Sequence, residues 1–460
     1  MQIAVLLAVV TAVTISENAP HRPVSLEMQR LALALGAMGL VVLFAAAGSV
    51  AVAAALRADR ASCAVPLKWF ERLQRVHALL WLAVVAVVLY RLNWAQLVRY
   101  NWGLDRVVLL RDVLVFLPVW LPWVLSWAAF YEVERSVQRT LCPAADSAAR
   151  YARARFAWSQ TRQWLGLILI PVLALLAVEE LVGLWTPDWL RGGHRWWLHL
   201  ALLLAIVIAF PAFLKRLWDT TPMADSLLRG RLWETSFEFG IGCREFRVWN
   251  TDYRILNAAV AGFVPAMRYV FFTDALLKHL DDGHVEAVLL HELGHVRRHH
   301  LPLRMLLLGL PLWFFVCFHL LAPRVIDPLL GGDLSMWQAG LPPLAAIWLP
   351  VALTIYAMGT LAWYSRWLEF DADLCVLEQR KTVPFIGALY ELARLSGKPT
   401  RHRSWLHPSV DERVRRLLLA EARPDHIVHF RRRLDCVAGA LLLAWLAIPW
   451  SAIGLAAWTC

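Results

Sequence analysis

Apolar runs long enough to cross a bilayer recur along the chain, at about 31–56, 77–97, 107–131, 163–185, 196–214, 301–322, 341–363 and 434–458. Roughly 20 apolar residues suffice for a helical crossing. Inside hydrocarbon a chain must satisfy its own backbone N–H and C=O groups, which a helix does within one segment. So many runs restrict the fold to a mainly α, polytopic membrane protein. Residues 2–15 form a shorter ninth run. A secretory signal would open on positive charge and close on a small-residue cleavage site; Met1-Gln2-Ile3 offers no charge and no clear cleavage site follows, so a ninth span is expected. With 59% hydrophobic and only 18% charged residues, a soluble enzyme on a single anchor is excluded.

The formal charge of +11 would suit nucleic acid, but its distribution points elsewhere. Arg57, Arg60, Lys68, Arg72 and Arg75 follow the 31–56 run, and Arg135, Arg139, Arg150, Arg153, Arg155 and Arg162 follow the 107–131 run. The long segments 215–300 and 364–433 are also arginine-rich, whereas the loops near 186–195 and 323–340 carry few cations. Lysine and arginine are retained in the cytoplasm. Nine spans then put the amino terminus and both long segments inside, with no nucleic-acid partner. Many of the 25 tryptophans (Trp94, Trp102, Trp185, Trp196, Trp197) fall at run ends, where interfacial belts form. Seven scattered cysteines with no Cys-x-x-Cys pair give neither a disulfide framework nor a cysteine metal site. Cys460 as last residue cannot form a prenylation box.

Three regions follow: 1–214, an amino-terminal membrane region of about six helices; 215–433, a domain built on the two long polar segments and containing the spans 301–322 and 341–363; and 434–460, a carboxy-terminal membrane helix. Prolines inside the runs (Pro118, Pro122, Pro171, Pro211, Pro311, Pro350) are expected to kink helices. Arg111 and Asp112 open one run while Glu179 and Glu180 close another, so an ion-pair network at similar depth is expected; a polar cavity lining is the rival reading.

The chemistry centres on His291-Glu292-Leu293-Gly294-His295. Histidines four apart on a helix share one face, so both imidazoles reach a single small cation, and zinc accepts neutral histidine nitrogen. Glu292 stands beside them, placed to take a proton from zinc-bound water. A zinc hydrolase needs a third protein ligand and an open position. Glu369-Phe370-Asp371-Ala372-Asp373 offers Glu369 as that ligand and, one turn on, Asp373 to accept the free ring N–H of a ligand histidine.

At these residues the chain resembles the membrane zinc metallopeptidases that include the HtpX proteases and the CAAX prenyl endopeptidases. The resemblance also rests on Asn257–Gly262 followed by Arg268–Leu277, and on His407-Pro408-Ser409-Val410-Asp411-Glu412-Arg413, similar to the family's His-Pro-Pro/Ser…Arg element; it covers about Arg244 to Leu419. The resemblance implies a zincin-like α+β metallopeptidase domain, one Zn2+ per chain, and a membrane-associated polypeptide as substrate. It implies a bacterial inner (plasma) membrane, and an edge strand near Asn257-Ala258 that holds the peptide extended, in the manner of strand addition; a buried turn is the alternative for Asn257. His407 or Arg413 is expected to donate to the oxyanion, the alternative for Arg413 being a structural pair with Asp371, Asp373 or Glu412. A small sheet is expected from Phe237–Phe239, Glu245–Trp249 and Tyr269–Phe272.

Spacing also sets depth. The metal helix reads as running through Arg297-Arg298-His299-His300 directly into the span near Leu301, and Glu369 lies roughly 9 Å along a helix from the end of the next span. Zinc would therefore sit at the cytoplasmic face, with His299 and His300 as interfacial residues. The function expected is an integral-membrane zinc metalloendopeptidase working by Glu292-assisted attack of water. A sensor-type membrane metallopeptidase needs an outer ligand-binding domain, and every expected outer loop is short. A transporter or scaffold with a vestigial metal site needs a broken ligand set, and the set is complete.

Overall fold

The fold is given by a computed structural model of the protein, which describes residues 2–17, 20–58, 64–141, 149–185, 195–321 save 252 and 254, 352, and 355–458 save 398 and 405. It divides into two units, residues 1–207 with 344–350, and 208–343 with 351–460. The expected span 341–363 and the expected loops near 186–195 and 323–340 lie largely or wholly outside the described residues.

The first unit is helical. Its long helix Glu27–Ala58 buries Ala34, Met38, Val41, Ala45, Ser49, Val52, Ala53 and Leu56, a stripe at helical spacing dominated by small residues. Gly48 leaves the space that the Leu73 side chain fills, 2.4 Å from where a Cβ would stand. The opposite face exposes Leu33, Leu35, Leu40, Leu43 and Val50. A helix that is apolar all round yet bare on one side fits a lipid environment. Glu27–Ala58, Lys68–Arg91 and Arg153–Val182 are, among the described residues, helices long and apolar enough to cross a membrane, with Ala4–Ser16 a shorter apolar helix. Large aromatic residues fill the interior, Trp81 meeting Trp123 at 4.6 Å between ring centroids.

The expected run at 107–131 is not one helix. It breaks at Phe116 into Leu110–Val115 and Leu117–Leu141, just ahead of Pro118, which has no N–H to continue the ladder. Helices continue through Pro122, Pro171, Pro211 and Pro311. Arg111 joins Asp112 at 2.9 Å and Glu180 at 3.1 Å, so the charges at these two helix ends pair with one another.

The second unit holds a four-stranded sheet: β1 (Thr220–Pro222), β2 (Glu245–Trp249), β3 (Ala258–Ala261) and β4 (Tyr269–Thr273), in the order β1-β2-β4-β3. The central pair β2 and β4 is parallel, and β1 and β3 flank it antiparallel. All five residues of β4 are buried, as a strand covered on both faces requires. Trp218 stacks on Trp249 at 4.1 Å, and Phe246, Val270 and Phe272 join the core beneath the helix Asp282–Arg297.

The expected strand at Phe237–Phe239 is instead the end of the helix Leu227–Glu238, capped by the Ser226 hydroxyl, which accepts from the Arg229 N–H. Three alternating residues are too few to outweigh a capped helical turn.

The edge strand β3 is held by its exit. Gly262 has φ +122°, and the Arg268 guanidinium donates to the carbonyls of Gly262 (3.2 Å), Gly242 (2.6 Å) and Phe263 (2.7 Å). A Cβ at Gly262 would lie 2.4 Å from the Met267 carbonyl oxygen. Gly262→Ala is expected to cost about 1–3 kcal/mol, from backbone strain and lost Arg268 contacts. A lowered denaturant midpoint of the full chain in detergent would show it; an unchanged midpoint would contradict this account of the turn.

Candidate active site

Two helices meet over the sheet. The metal helix Asp282–Arg297 is capped by the Asp281 side chain, which accepts from the His284 N–H at 2.8 Å, and buries Val285, Ala287, Leu289, Leu290 and Leu293. Its partner, Ala362–Glu378, follows a π-helical turn at Ala357–Leu361 and buries Leu368 through Val376 without a break. Glu369, Asp371 and Asp373 are thus all buried.

Their close approach depends on Gly294. An added Cβ there would stand 3.1 Å from Cys375 Cβ and 3.2 Å from the Ala372 Cα and carbonyl oxygen. Any side chain there presses on the facing helix, and one larger than alanine must push it away.

The approach brings His291, His295 and Glu369 together, each offering one ligand atom within 4.8 Å of the others. His291 Nε2 lies 3.5 Å from Glu369 Oε2, and His295 Nε2 lies 3.4 Å from Glu369 Oε1. Tetrahedral zinc with bonds near 2.0–2.1 Å separates its ligand atoms by about 3.3 Å. The donor set and its spacing therefore fit a divalent zinc-like ion.

Each imidazole is held from behind. His291 Nδ1 meets Asp373 Oδ1 at 2.9 Å, and Asp373 takes a two-pronged contact from the Arg413 guanidinium, Nε at 2.9 Å. Arg413 also stands 3.3 Å from His291 Nδ1. His295 Nδ1 meets His300 Nδ1 at 2.7 Å, and His300 Nε2 meets Asp371 Oδ2 at 3.1 Å. Asp371 is gripped by Arg298 at 2.7 Å and Arg431 at 3.0 Å. Arg304 donates to Glu369 Oε1 at 2.9 Å, and His407 Nδ1 lies 2.8 Å from Glu369 Oε2.

The electrostatics follow from this enclosure. Burial pushes Asp371 up, but His300 and Arg298 outweigh it and hold the carboxyl at about 2. Asp373 is likewise held low against burial, by Arg413 and His291. Glu369, although buried, is kept ionised by His295, His291 and His407. Burial and Arg413 push His291 down, yet its bonds to Asp373 and Glu369 prevail and raise it to about 9. Burial drives His295 well below its ordinary value, keeping that ring neutral. Glu292 is pushed up by burial in the first place. Among the described residues no side chain hydrogen-bonds its carboxylate.

The remaining expected residues fall as follows. Asn257 is exposed, its backbone N–H donating to Thr273 Oγ1 at 3.1 Å and its carbonyl accepting from the Thr273 N–H at 3.0 Å. Ala258 opens β3, the edge strand, in register with Phe272. The guanidinium of Arg413 is occupied by Asp373. The metal helix does not run straight into the next one: it ends at Arg297, His299 takes a left-handed conformation (φ +56°), and a new helix begins at His300. That break corrects the interfacial reading of His300, which is 1% exposed and lies behind His295. Sequence reasoning also missed Gly294, Arg298, Arg304, Asp371 and Arg431. Only Gly294, a small residue inside the metal motif, carried a readable signal.

Residues 238–421 match the sequence model of peptidase family M48. The curated protein named Protease HtpX homolog from Desulfotalea psychrophila is 28% identical over 155 residues, 33% of this chain and 53% of that protein. Protease HtpX from Xanthomonas oryzae pv. oryzae is 27% identical over 161 residues, 35% of this chain and 54% of that protein. The chain thus spans about half the length of the curated relatives it matches. A solved structure, the crystal structure of S. mikatae Ste24p, covers 86% of this chain and 99% of that one at 14% identity, with a TM-score of 0.43. Over the stretch that carries the site, the expected resemblance to the family of the HtpX proteases is borne out.

Two expectations follow. Gly294→Val forces the two ligand helices apart against backbone atoms, an overpacking worth about 1–3 kcal/mol; it should lower both the melting temperature and the zinc content of purified protein, and normal values of both would contradict the role given to Gly294. With no metal bound, His291 is raised to about 9, so a divalent ion taken up by this ring would displace a proton below that pH. Apparent zinc affinity should climb about tenfold per pH unit from 7 to 9 and level off above. Chelator competition across that range reads it, and a flat profile would refute the assignment.

Proposed function

We propose that the chain is an integral-membrane zinc metalloendopeptidase that hydrolyses membrane-associated or membrane-delivered polypeptides on the cytoplasmic side. The observation that carries this reading is the convergence of His291 Nε2, His295 Nε2 and a Glu369 carboxylate from two helices, with the Glu292 carboxylate beside them and unengaged by any described side chain. Zinc held by these three residues supplies Lewis acidity, which makes water nucleophilic near neutral pH and polarises a carbonyl.

The chain's own groups do the rest. Glu292 accepts the proton of the attacking water and delivers it to the departing amine. Its upward shift by burial brings it closer to the pH at which a carboxylate both takes and returns a proton readily. His407 is 57% exposed at its side chain while touching Glu369, so it stands at the open rim and donates to the oxyanion as charge develops. Arg413 is committed to Asp373 and acts on the reaction through His291. Glu369 stays ionised at neutral pH, as a ligand must.

An extended peptide adds to the outer edge of β3 from Asn257 onward, where no described strand pairs. Backbone hydrogen bonds then supply affinity with little demand on sequence, suited to unfolded or mistargeted chains. The cytoplasmic side is supported by the arginine content of 215–300 and 364–433. Delivery from the bilayer is supported by the apolar helix His300–Leu321, which follows the metal helix.

Glu292→Gln should keep its zinc and lose cleavage of an unfolded membrane substrate by at least about a hundredfold, whereas His295→Ala should lose both. Full cleavage by the Glu292 variant would remove Glu292 from its role, and wild-type protein that binds no zinc would remove the reading altogether.

A further inference from the structure

The protons of the two ligand histidines must be arranged so that each Nε2 offers a lone pair to a cation. For His291 this is simple: Asp373 accepts at Nδ1, so the proton sits there. His295 has no carboxylate at its Nδ1. It faces another imidazole, His300 Nδ1, at 2.7 Å, and two imidazole nitrogens at that distance need one donor and one acceptor.

The far side of His300 settles which is which. Its Nε2 meets Asp371 Oδ2 at 3.1 Å. Asp371 is fully buried and takes Arg298 on one oxygen and Arg431 on the other. A carboxylate between two guanidinium groups is ionised and accepts only. In a neutral His300 the single proton therefore lies on Nε2, leaving Nδ1 as a lone pair. His295 must donate from Nδ1 to that lone pair, and its Nε2 is then free toward Glu369 and a cation. With both imidazoles neutral, one proton arrangement satisfies every bond in the chain.

We propose that His300 is a positioning residue for the metal site, a relay that carries the orienting effect of Asp371 across to His295. The inference rests on the peptidase reading for the identity of the cation, but its geometry is that of the protein alone. It assigns a task to the left-handed turn at His299. A helix running straight on from His295 would carry residue 300 round to another face; the break returns it behind the ligand. It also reaches the carboxy-terminal helix Asp425–Trp458, because Arg431 grips Asp371 and Arg298 bridges to Asp435 at 3.0 Å. A cation outside the peptidase motifs thereby helps set how firmly His295 is held. The ligand helix Ala362–Glu378 thus supplies one ligand and orients the other two, Asp373 directly and Asp371 through His300.

The test uses full-length protein in detergent and reads zinc affinity by competition with a chromophoric chelator, alongside the melting temperature of metal-stripped protein. His300→Leu keeps bulk but offers neither donor nor acceptor; it should weaken zinc binding about tenfold to a hundredfold, the range for lost support of a metal-bound histidine. His300→Gln carries both an acceptor and a donor and should recover most of that loss at a similar melting temperature. Arg431→Gln leaves His300 in place and should give a smaller loss in the same direction. Wild-type affinity in His300→Leu overturns the proposal. So does a His300→Gln variant as weak as His300→Leu while melting like wild type, because the hydrogen bonds would then be irrelevant. Wild-type protein that binds no zinc takes the peptidase reading and the relay down together, whereas a tight wild type with an equally tight His300→Leu sinks the relay alone.

Discussion

One turn and a half of helix carries three buried carboxylates, Glu369, Asp371 and Asp373, each no more than 1% exposed. Removing an ion from water costs several kcal/mol even after relaxation, so this helix can exist only with cations fixed around it. The second unit reads as a solution to that demand. Arg298 and Arg431 serve Asp371, Arg413 and His291 serve Asp373, and Arg304, His407 and the two ligand histidines surround Glu369. Those partners come from different elements, and each must be in place before the charge is compensated. Buried pairs of this kind are weak sources of stability but strong determinants of geometry. The fold is committed to a single arrangement because any other leaves a carboxylate bare.

That commitment is what a metal site needs. Ligands must stand at fixed separations before the ion arrives, or binding must order them at its own expense. Here the separation of the two helices is set by Gly294 against Ala372, the ring planes by Asp373 and His300, and the carboxylate by Arg304. The sheet contributes the floor: β4 and β2 bury Val270, Phe272 and Phe246 beneath the metal helix, and β3 offers an edge beside it. Apolar packing fixes where the helices lie, and ionic bonds fix how the side chains turn.

How much of this was legible follows from which contacts are local. The pair His291 and His295, four apart, declares a shared face from spacing alone, and Glu369 with Asp373 does the same on the second helix. The all-apolar run at Tyr269–Phe272 announces a covered strand. By contrast, Phe237–Phe239 alternates like a strand but is claimed by a helix whose cap, Ser226, lies eleven residues upstream. His300 was unreadable because its position hangs on one residue, His299, taking a left-handed turn that a non-glycine side chain does not advertise. Asp371 sits between Glu369 and Asp373, and on an ideal surface helix it would face solvent; Arg431 of the carboxy-terminal helix, together with Arg298 and His300, makes it a buried hub. The break at Phe116 could be sensed from Pro118, yet Pro122 and Pro171 sit inside continuous helices, so proline alone does not locate a break.

Burial is graded across the site, and the gradient has a chemical sense. His291 and Glu369 are closed off, His295 is slightly open, Glu292 is partly accessible and the His407 ring is more than half exposed. Groups that hold a cation benefit from exclusion of water, since a low local dielectric strengthens each ligand bond and protects it from competition. Groups that exchange protons with a substrate must meet it, and a carboxylate sealed among cations would be too weak a base to help. Glu292 differs because burial, the largest influence on it, outweighs the nearby His291, His407 and Arg304 and pushes it up. Its neighbours compensate Glu369, Asp371 and Asp373 in full and leave this one acid raised by burial and unpaired among the described residues. The same charge distribution that makes the fold possible therefore sorts four acids into three that described cations engage and one that no described side chain hydrogen-bonds.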